Sequence, residues 1–217
     1  MQEIEQQRDG GLNVLVGAET ENVSPTTLEW LKREVFRTEA HDMPPALVGQ
    51  GVVDYLVGSV HHAGAILPCC GSVAEVKAAP TGIPIDFDAG TFESARDHFC
   101  RRRGPSSETT TESLLRLCLS YFEAQYRLID ELRPEVIGHF DLIRLFAPNL
   151  QIYGDAGALQ GQEDATTAMR REVQEASDRS IRLAASYGAL FEVNSASVRK
   201  GWPSPYPGKD VLEVSDT

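Results

Sequence analysis

The 217-residue sequence has no apolar run approaching the roughly 18 residues of a membrane-spanning helix. Its opening, MQEIEQQRDGG, is polar and acidic and lacks the apolar centre of a secretory signal. Both absences point to a soluble protein of the cytoplasm with no membrane partner. Positive charge is scarce: 20 Lys and Arg stand against 32 Asp and Glu, for a formal net charge of −12. Such a surface cannot neutralise the phosphates along an extended strand, which argues against a nucleic-acid partner. One small phosphate ester, by contrast, needs only a local cationic pocket. Cysteine is confined to Cys69, Cys70, Cys100 and Cys118, with neither a disulfide framework nor a CxxC pair, so free thiols in a reducing compartment are expected. Histidine is limited to five residues, none of them before His41.

Against that background, four short apolar runs each end in a polar cluster: LNVLVGAETE (12–21), DYLVGSVHH (54–62), EVIGHFD (135–141) and LFEVNSASVRK (190–200). Parallel strands of a barrel build a site in this way, because their ends converge on one rim and each delivers one or two side chains. The delivered groups are carboxylates, imidazoles and an arginine. Carboxylate with imidazole suits a divalent metal, and a guanidinium suits a phosphate. The pattern therefore points to a metal-dependent phosphoesterase.

Elements alternate as in β/α units, and the length fits one domain spanning 1–217. Strands are expected at 12–16, 52–60, 136–139 and 189–193. Helices are expected after the Ser24-Pro25 start signal through 37, from about 91 into the basic run 101–103, over 112–132 with Leu115, Leu119, Phe122, Tyr126 and Ile129 at helical spacing, and over 164–187 with Gly188 as its C-terminal cap. The stretch 63–82, rich in Gly, Ala, Pro and Cys, has no period and reads as a loop.

Each cluster has a bland reading beside the functional one. Glu19 and Glu21 follow a strand, where exposed glutamates are common. His61 and His62 are adjacent, so on a strand they face opposite sides, and at most one can serve a given centre. In GHFD, strand alternation puts His139 and Asp141 on one side, a spacing for metal ligands or for a histidine held by a carboxylate. Arg199 follows a strand end, where it could meet a phosphate or form a plain surface pair with Lys200. His41 and His98 read as surface residues, and Arg101 to Arg103 as a solvated helix end.

Taken together, NVLVGAETE, DYLVGSVHH, GIPIDFD, YFEAQYRLIDELRPEVIGHFDLIRLF and FEVNSASVRKG with its trailing PYPGKDVLE resemble the polymerase and histidinol phosphatase (PHP) superfamily, and most closely its fungal-type histidinol-phosphatases. The resemblance implies an α/β fold, a distorted (β/α)7 TIM-like barrel holding up to three divalent metals (Zn, Mn or Fe), and hydrolysis of L-histidinol phosphate to histidinol and phosphate. It implies Glu19, His61 and His139 as metal ligands, with Asp141 and His62 beside them, and Arg144 and Arg199 on the substrate phosphate. The family's HxH strand and a second histidine block should precede Glu19, and a DxH-type motif should close the chain. This sequence has none of these, so it is expected to be a barrel incomplete at both ends, weak in metal affinity and near zero in turnover. The family also joins its HH and IPIDFD by a shorter link, which makes 63–82 a loop insertion or the read-through of an intron. Two alternatives stand beside the phosphatase: a non-catalytic phosphate-binding remnant, and another metal hydrolase of a barrel rim, such as a deaminase or amidohydrolase.

Overall fold

Each apolar run becomes a strand of one parallel sheet. The computed structural model describes residues 15–21, 31, 53–63, 82–101, 110–153 and 165–215. Within them β1 (Gly17–Thr20), β2 (Tyr55–Gly58), β5 (Val136–Ile137) and β6 (Leu190–Phe191) pair in the order β1-β2-β5-β6, every neighbour parallel. The strands thus lie side by side in chain order, with β1 and β6 at the edges among the described residues. A separate antiparallel pair joins β3 (His62–Ala63) to β4 (Ile83–Pro84). The helices are α1 (Ala89–Arg101), α2 (Thr110–Leu132), α3 (Ala165–Ser186), the single turn α4 (Ala196–Arg199) and α5 (Lys209–Ser215). Among the described residues, no helix is long and apolar enough to cross a membrane.

Several boundaries move from the sequence expectation, each for a visible reason. The first strand starts at Gly17 rather than within 12–16, of which only Leu15 and Val16 are described. Pairing begins where Asp54 exchanges bonds with Val16: its amide donates to the Val16 carbonyl at 2.6 Å, and its carboxylate accepts the Val16 amide at 2.7 Å. The second strand shortens from 52–60 to Tyr55–Gly58, the length of its register with β1. The fourth shortens to Leu190–Phe191 for the same reason, being matched to the two residues of β5. Helix α1 begins two residues early because Asp88 caps it, accepting the Thr91 amide at 2.7 Å. The helix expected after Ser24-Pro25 lies outside the described residues except for buried Leu31. At the 63–82 stretch, Ala63 is a strand residue paired with Ile83, while 64–81 lie outside the described residues.

Helix α2 organises the core. Its stripe of Leu115, Cys118, Tyr121, Phe122, Leu128 and Ile129 is buried, and it packs along α3 and against α1, β2 and β3. Burying aliphatic and aromatic side chains of this size is worth roughly 1.5–3 kcal/mol each, which is how so short a sheet is held. Cys118 is free and fully buried, and burial pushes its thiol up to about 12, so it serves as a small apolar residue. Helix α2 lies close on the sheet because β2 ends in Gly58: a Cβ there would sit 2.5 Å from Leu128 Cδ2 and 2.5 Å from Pro134 Cγ. Helix α3 ends as its sequence indicates. Gly188, at φ 83°, donates to the Ala185 carbonyl, and Ala189 donates to that of Ala184, the paired bonds of a Schellman cap.

Candidate metal centre

Parallel register sets the site at one end of the sheet. Glu19 on β1 is aligned with Val57 of β2, and Gly58 with Ile137 of β5, so the residues just past β2 and β5 emerge beside Glu19. There Glu19, His61 and His139 each offer a donor atom, all within 4.8 Å of one another. Glu19 Oε1 lies 3.2 Å from His139 Nε2 and 3.5 Å from His61 Nε2. The two imidazoles meet edge to face, with centroids 4.8 Å apart. Three residues distant in sequence, 42 and 78 apart by subtraction of their numbers, thus share one small space.

Charge in this space is balanced unevenly. Burial raises the Glu19 carboxyl, but the Ser59 hydroxyl and both imidazoles outweigh it and hold the group below its ordinary value. Its side chain remains about half exposed, open to an incoming ligand. Burial and the neighbouring His61 push His139 down, towards the neutral imidazole that can donate a lone pair. His61 moves the other way: a hydrogen bond from its Nδ1 to Asp86 Oδ2 at 2.8 Å outweighs burial and raises it. One carboxylate and two imidazole nitrogens suit a hard-to-borderline divalent cation. The donor set therefore fits a metal ion.

The neighbouring histidine has a different task. His62 turns away from His61 to Glu21, its Nδ1 lying 2.8 Å from Glu21 Oε2, while Glu21 Oε1 accepts the backbone amides of His61 and His62 at 2.6 and 2.8 Å. Glu21 thus clamps the strand end that carries His61. The Glu21 bond outweighs burial and raises His62 above its ordinary value. A raised folded pKa stabilises the protein fully below about pH 6.5 and ceases to do so as pH rises through the folded value. His62→Gln is accordingly expected to cost more stability at about pH 6 than at about pH 9, as read by urea denaturation at both. An equal cost at both values would remove the ion pair from the account.

Asp141 and Arg144 do not join Glu19 in that cluster. The alternation expected for GHFD fails because β5 stops at Ile137, and His139 takes a positive φ of 22°. The chain then turns into a 3-10 segment, Leu142–Arg144. Phe140 is driven into the core, and Asp141 is wholly buried against Arg144, with Oδ2 2.6 Å from Nη2. Arg144 Nη1 also meets Asp210 Oδ1 at 2.9 Å and donates to the Leu150 carbonyl at 3.2 Å. The PYPGKD segment completes this lock. Gly208 donates its amide to Asp141 at 2.8 Å, and Asp210 accepts the Ile152 and Tyr153 amides. A Cβ at Gly208 would run into the Arg144 guanidinium. Arg199 ends the exposed turn α4 and donates to Ser195 Oγ at 3.0 Å. His98 is exposed on α1, whereas His41 and the side chains of 101–103 lie outside the described residues.

Sequence reasoning did not single out Asp86, Glu192 or Asp210. Glu192 accepts the His139 amide at 3.0 Å and the Asn194 side-chain amide at 3.0 Å, fixing the turn that aims His139. The signal was present for two of them, since Asp86 and Glu192 are carboxylates just past short apolar runs, the same pattern that marked Glu19. For Asp210, in a Pro- and Gly-rich tail, nothing in the sequence announced a partner 66 residues away.

No family model matches the chain. Over 205 residues it is 35% identical to a Schizosaccharomyces pombe protein named "Probable histidinol-phosphatase", an alignment that takes in 94% of this chain and 49% of that protein. Over 207 residues it is 27% identical to the histidinol-phosphatase of Saccharomyces cerevisiae, covering 92% of this chain and 50% of the relative. The chain spans about half the length of the curated relatives it matches. The segments carrying Glu19, His61, His139 and the Arg144 lock therefore lie in a chain that is similar, along nearly all of its length, to two yeast proteins bearing the name histidinol-phosphatase.

Proposed function

We propose that this chain is part of a metal-dependent phosphatase that hydrolyses L-histidinol phosphate to L-histidinol and phosphate in histidine biosynthesis. The observation that carries the reading is the convergence of Glu19, His61 and His139 at one end of the parallel sheet. The similarity to two proteins named for that reaction supports the choice of substrate. In the PHP-type (β/α)7 barrel we infer, β1, β2, β5 and β6 are consecutive staves. Their chain-order, all-parallel pairing supports this, since a barrel is laid down stave by stave.

Glu19, His61 and His139 would hold a divalent cation, which supplies Lewis acidity towards a phosphoryl oxygen. The chain's own residues do the rest. Glu19 brings negative charge that draws the cation to the rim, and Glu192 and Glu21 hold the backbones of the two histidines in place. Arg199, exposed on α4, would have to exchange Ser195 for an ester phosphate. Arg144 would have to exchange Asp210 for the phosphate. A protein of net charge −12 favours a small phosphate ester over a nucleic-acid strand.

Release of inorganic phosphate from L-histidinol phosphate in the presence of Mn2+, Zn2+ or Fe2+ tests the reading. Metal-dependent release that disappears with chelator is the expected result, at a turnover near zero for these 217 residues by themselves. Metal bound without release points instead to the non-catalytic phosphate-binding alternative. The two candidate arginines argue against an amide-cleaving hydrolase, which has no phosphate to hold.

A further inference from the structure

We infer that Asp86 is a positioning residue that orients His61, holding its Nδ1 so that Nε2 is presented to the space shared with Glu19 and His139. An ionised carboxylate can only accept hydrogen bonds, so the 2.8 Å contact between Asp86 Oδ2 and His61 Nδ1 requires the proton on Nδ1. In the neutral ring Nε2 is then a bare lone pair, and it lies 3.5 Å from Glu19 Oε1. Two acceptors face each other there, an arrangement completed by a cation. Metal-bound histidines are commonly fixed in this way through their second nitrogen.

The backbone explains why Asp86 can do this without help from a bound ion. Strand β4 pairs with β3 immediately beside the histidine, in the register His62 to Pro84 and Ala63 to Ile83. The Ile85 amide donates to the His61 carbonyl at 2.9 Å. Asp86 is therefore tied, one residue away, to the backbone of the ring it orients. Of the two carboxylates in IDFD, Asp88 is spent on the N-terminus of α1, accepting the Thr91 amide. The small antiparallel pair β3–β4 thus acquires a purpose: it carries Asp86 to the parallel-sheet site.

This inference rests on the metal-dependent reading for its consequence, but it can be measured without metal. In the metal-free 217-residue chain at about pH 8.5, above the ordinary imidazole range, long-range 1H–15N spectra report which His61 nitrogen is protonated. The parent is expected to carry the proton on Nδ1. Asp86→Asn is expected to lose that preference and Asp86→Glu to restore part of it. The same His61 tautomer in parent and Asp86→Asn would overturn the inference, whatever metal does. Mn2+ titration then measures the consequence, an expected loss of roughly 10–100-fold in affinity for Asp86→Asn. Unchanged affinity despite a changed tautomer would overturn the positioning role. A parent chain that takes up no Mn2+, Zn2+ or Fe2+ but shows the Asp86-dependent tautomer would uphold the orienting contact and refute the metal-dependent phosphatase.

Discussion

Glu19→Gln is expected to weaken Mn2+ binding by more than about 100-fold, beyond the roughly 10–100-fold that changes to groups behind the ligands cost. Glutamine keeps the size of the side chain and removes the charge. Glu19 is the only anion within the three-residue cluster, and the two imidazoles alone offer no negative charge to a divalent cation. The fold should not notice. The Glu19 side chain is 54% exposed, and its ion-pair contacts are to His61 and His139 at the end of the sheet. The urea midpoint of the metal-free chain is therefore expected to stay within the range of an ordinary surface substitution, about 0.5 kcal/mol. Electron paramagnetic resonance of free Mn2+ gives the affinities directly. Equal binding by parent and Glu19→Gln would mean that the cation sits elsewhere, and the metal centre described here would have to be abandoned.

The opposite profile is expected for Arg144→Ala, which should cost about 3–5 kcal/mol of stability. Asp141 has no exposed surface, and its Oδ2 is shared between the Arg144 guanidinium and the Gly208 amide. Removing the cation leaves a buried carboxylate with only that amide, and it also releases Asp210, which ties the α5 segment to Ile152 and Tyr153. For a chain of this length, such a loss lowers the melting temperature by roughly 6–20 °C, at about 2–4 °C per kcal/mol. The double variant Asp141→Asn with Arg144→Met should recover part of it, since neither buried charge then stands alone. Calorimetry of the three chains at neutral pH decides the matter. If Arg144→Ala melts with the parent, the guanidinium is held there for a ligand and not for the fold.

Much of the site was legible because strand ends carry a local signature. An apolar run followed by a carboxylate or imidazole marks a side chain delivered to a rim, and Glu19, His61 and His139 each bear that mark. Opposite facing of His61 and His62 followed from the two-residue period of strand backbone, and the structure indeed sends one to Glu19 and Asp86, the other to Glu21. The same period misled at GHFD, because it holds only while the backbone stays extended. Two residues of β5 are all that pair, and Asp141 lies past the turn, facing Arg144.

The sequence by itself determined helices α1, α2 and α3, the parallel character of the sheet and the donor types at its end, since periodicity, capping residues and donor types are properties of short stretches. Helix α2 needed only its buried stripe, and the end of α3 only Gly188. Tertiary structure alone decided which carboxylate serves which donor. Asp86 comes to His61 through the β3–β4 pairing, Glu192 to the His139 amide through β5–β6, and Asp210 to Arg144 across 66 positions of chain. Those choices depend on strand register and on where the chain returns, and long-range pairing of that kind leaves no periodic trace in the segments it joins.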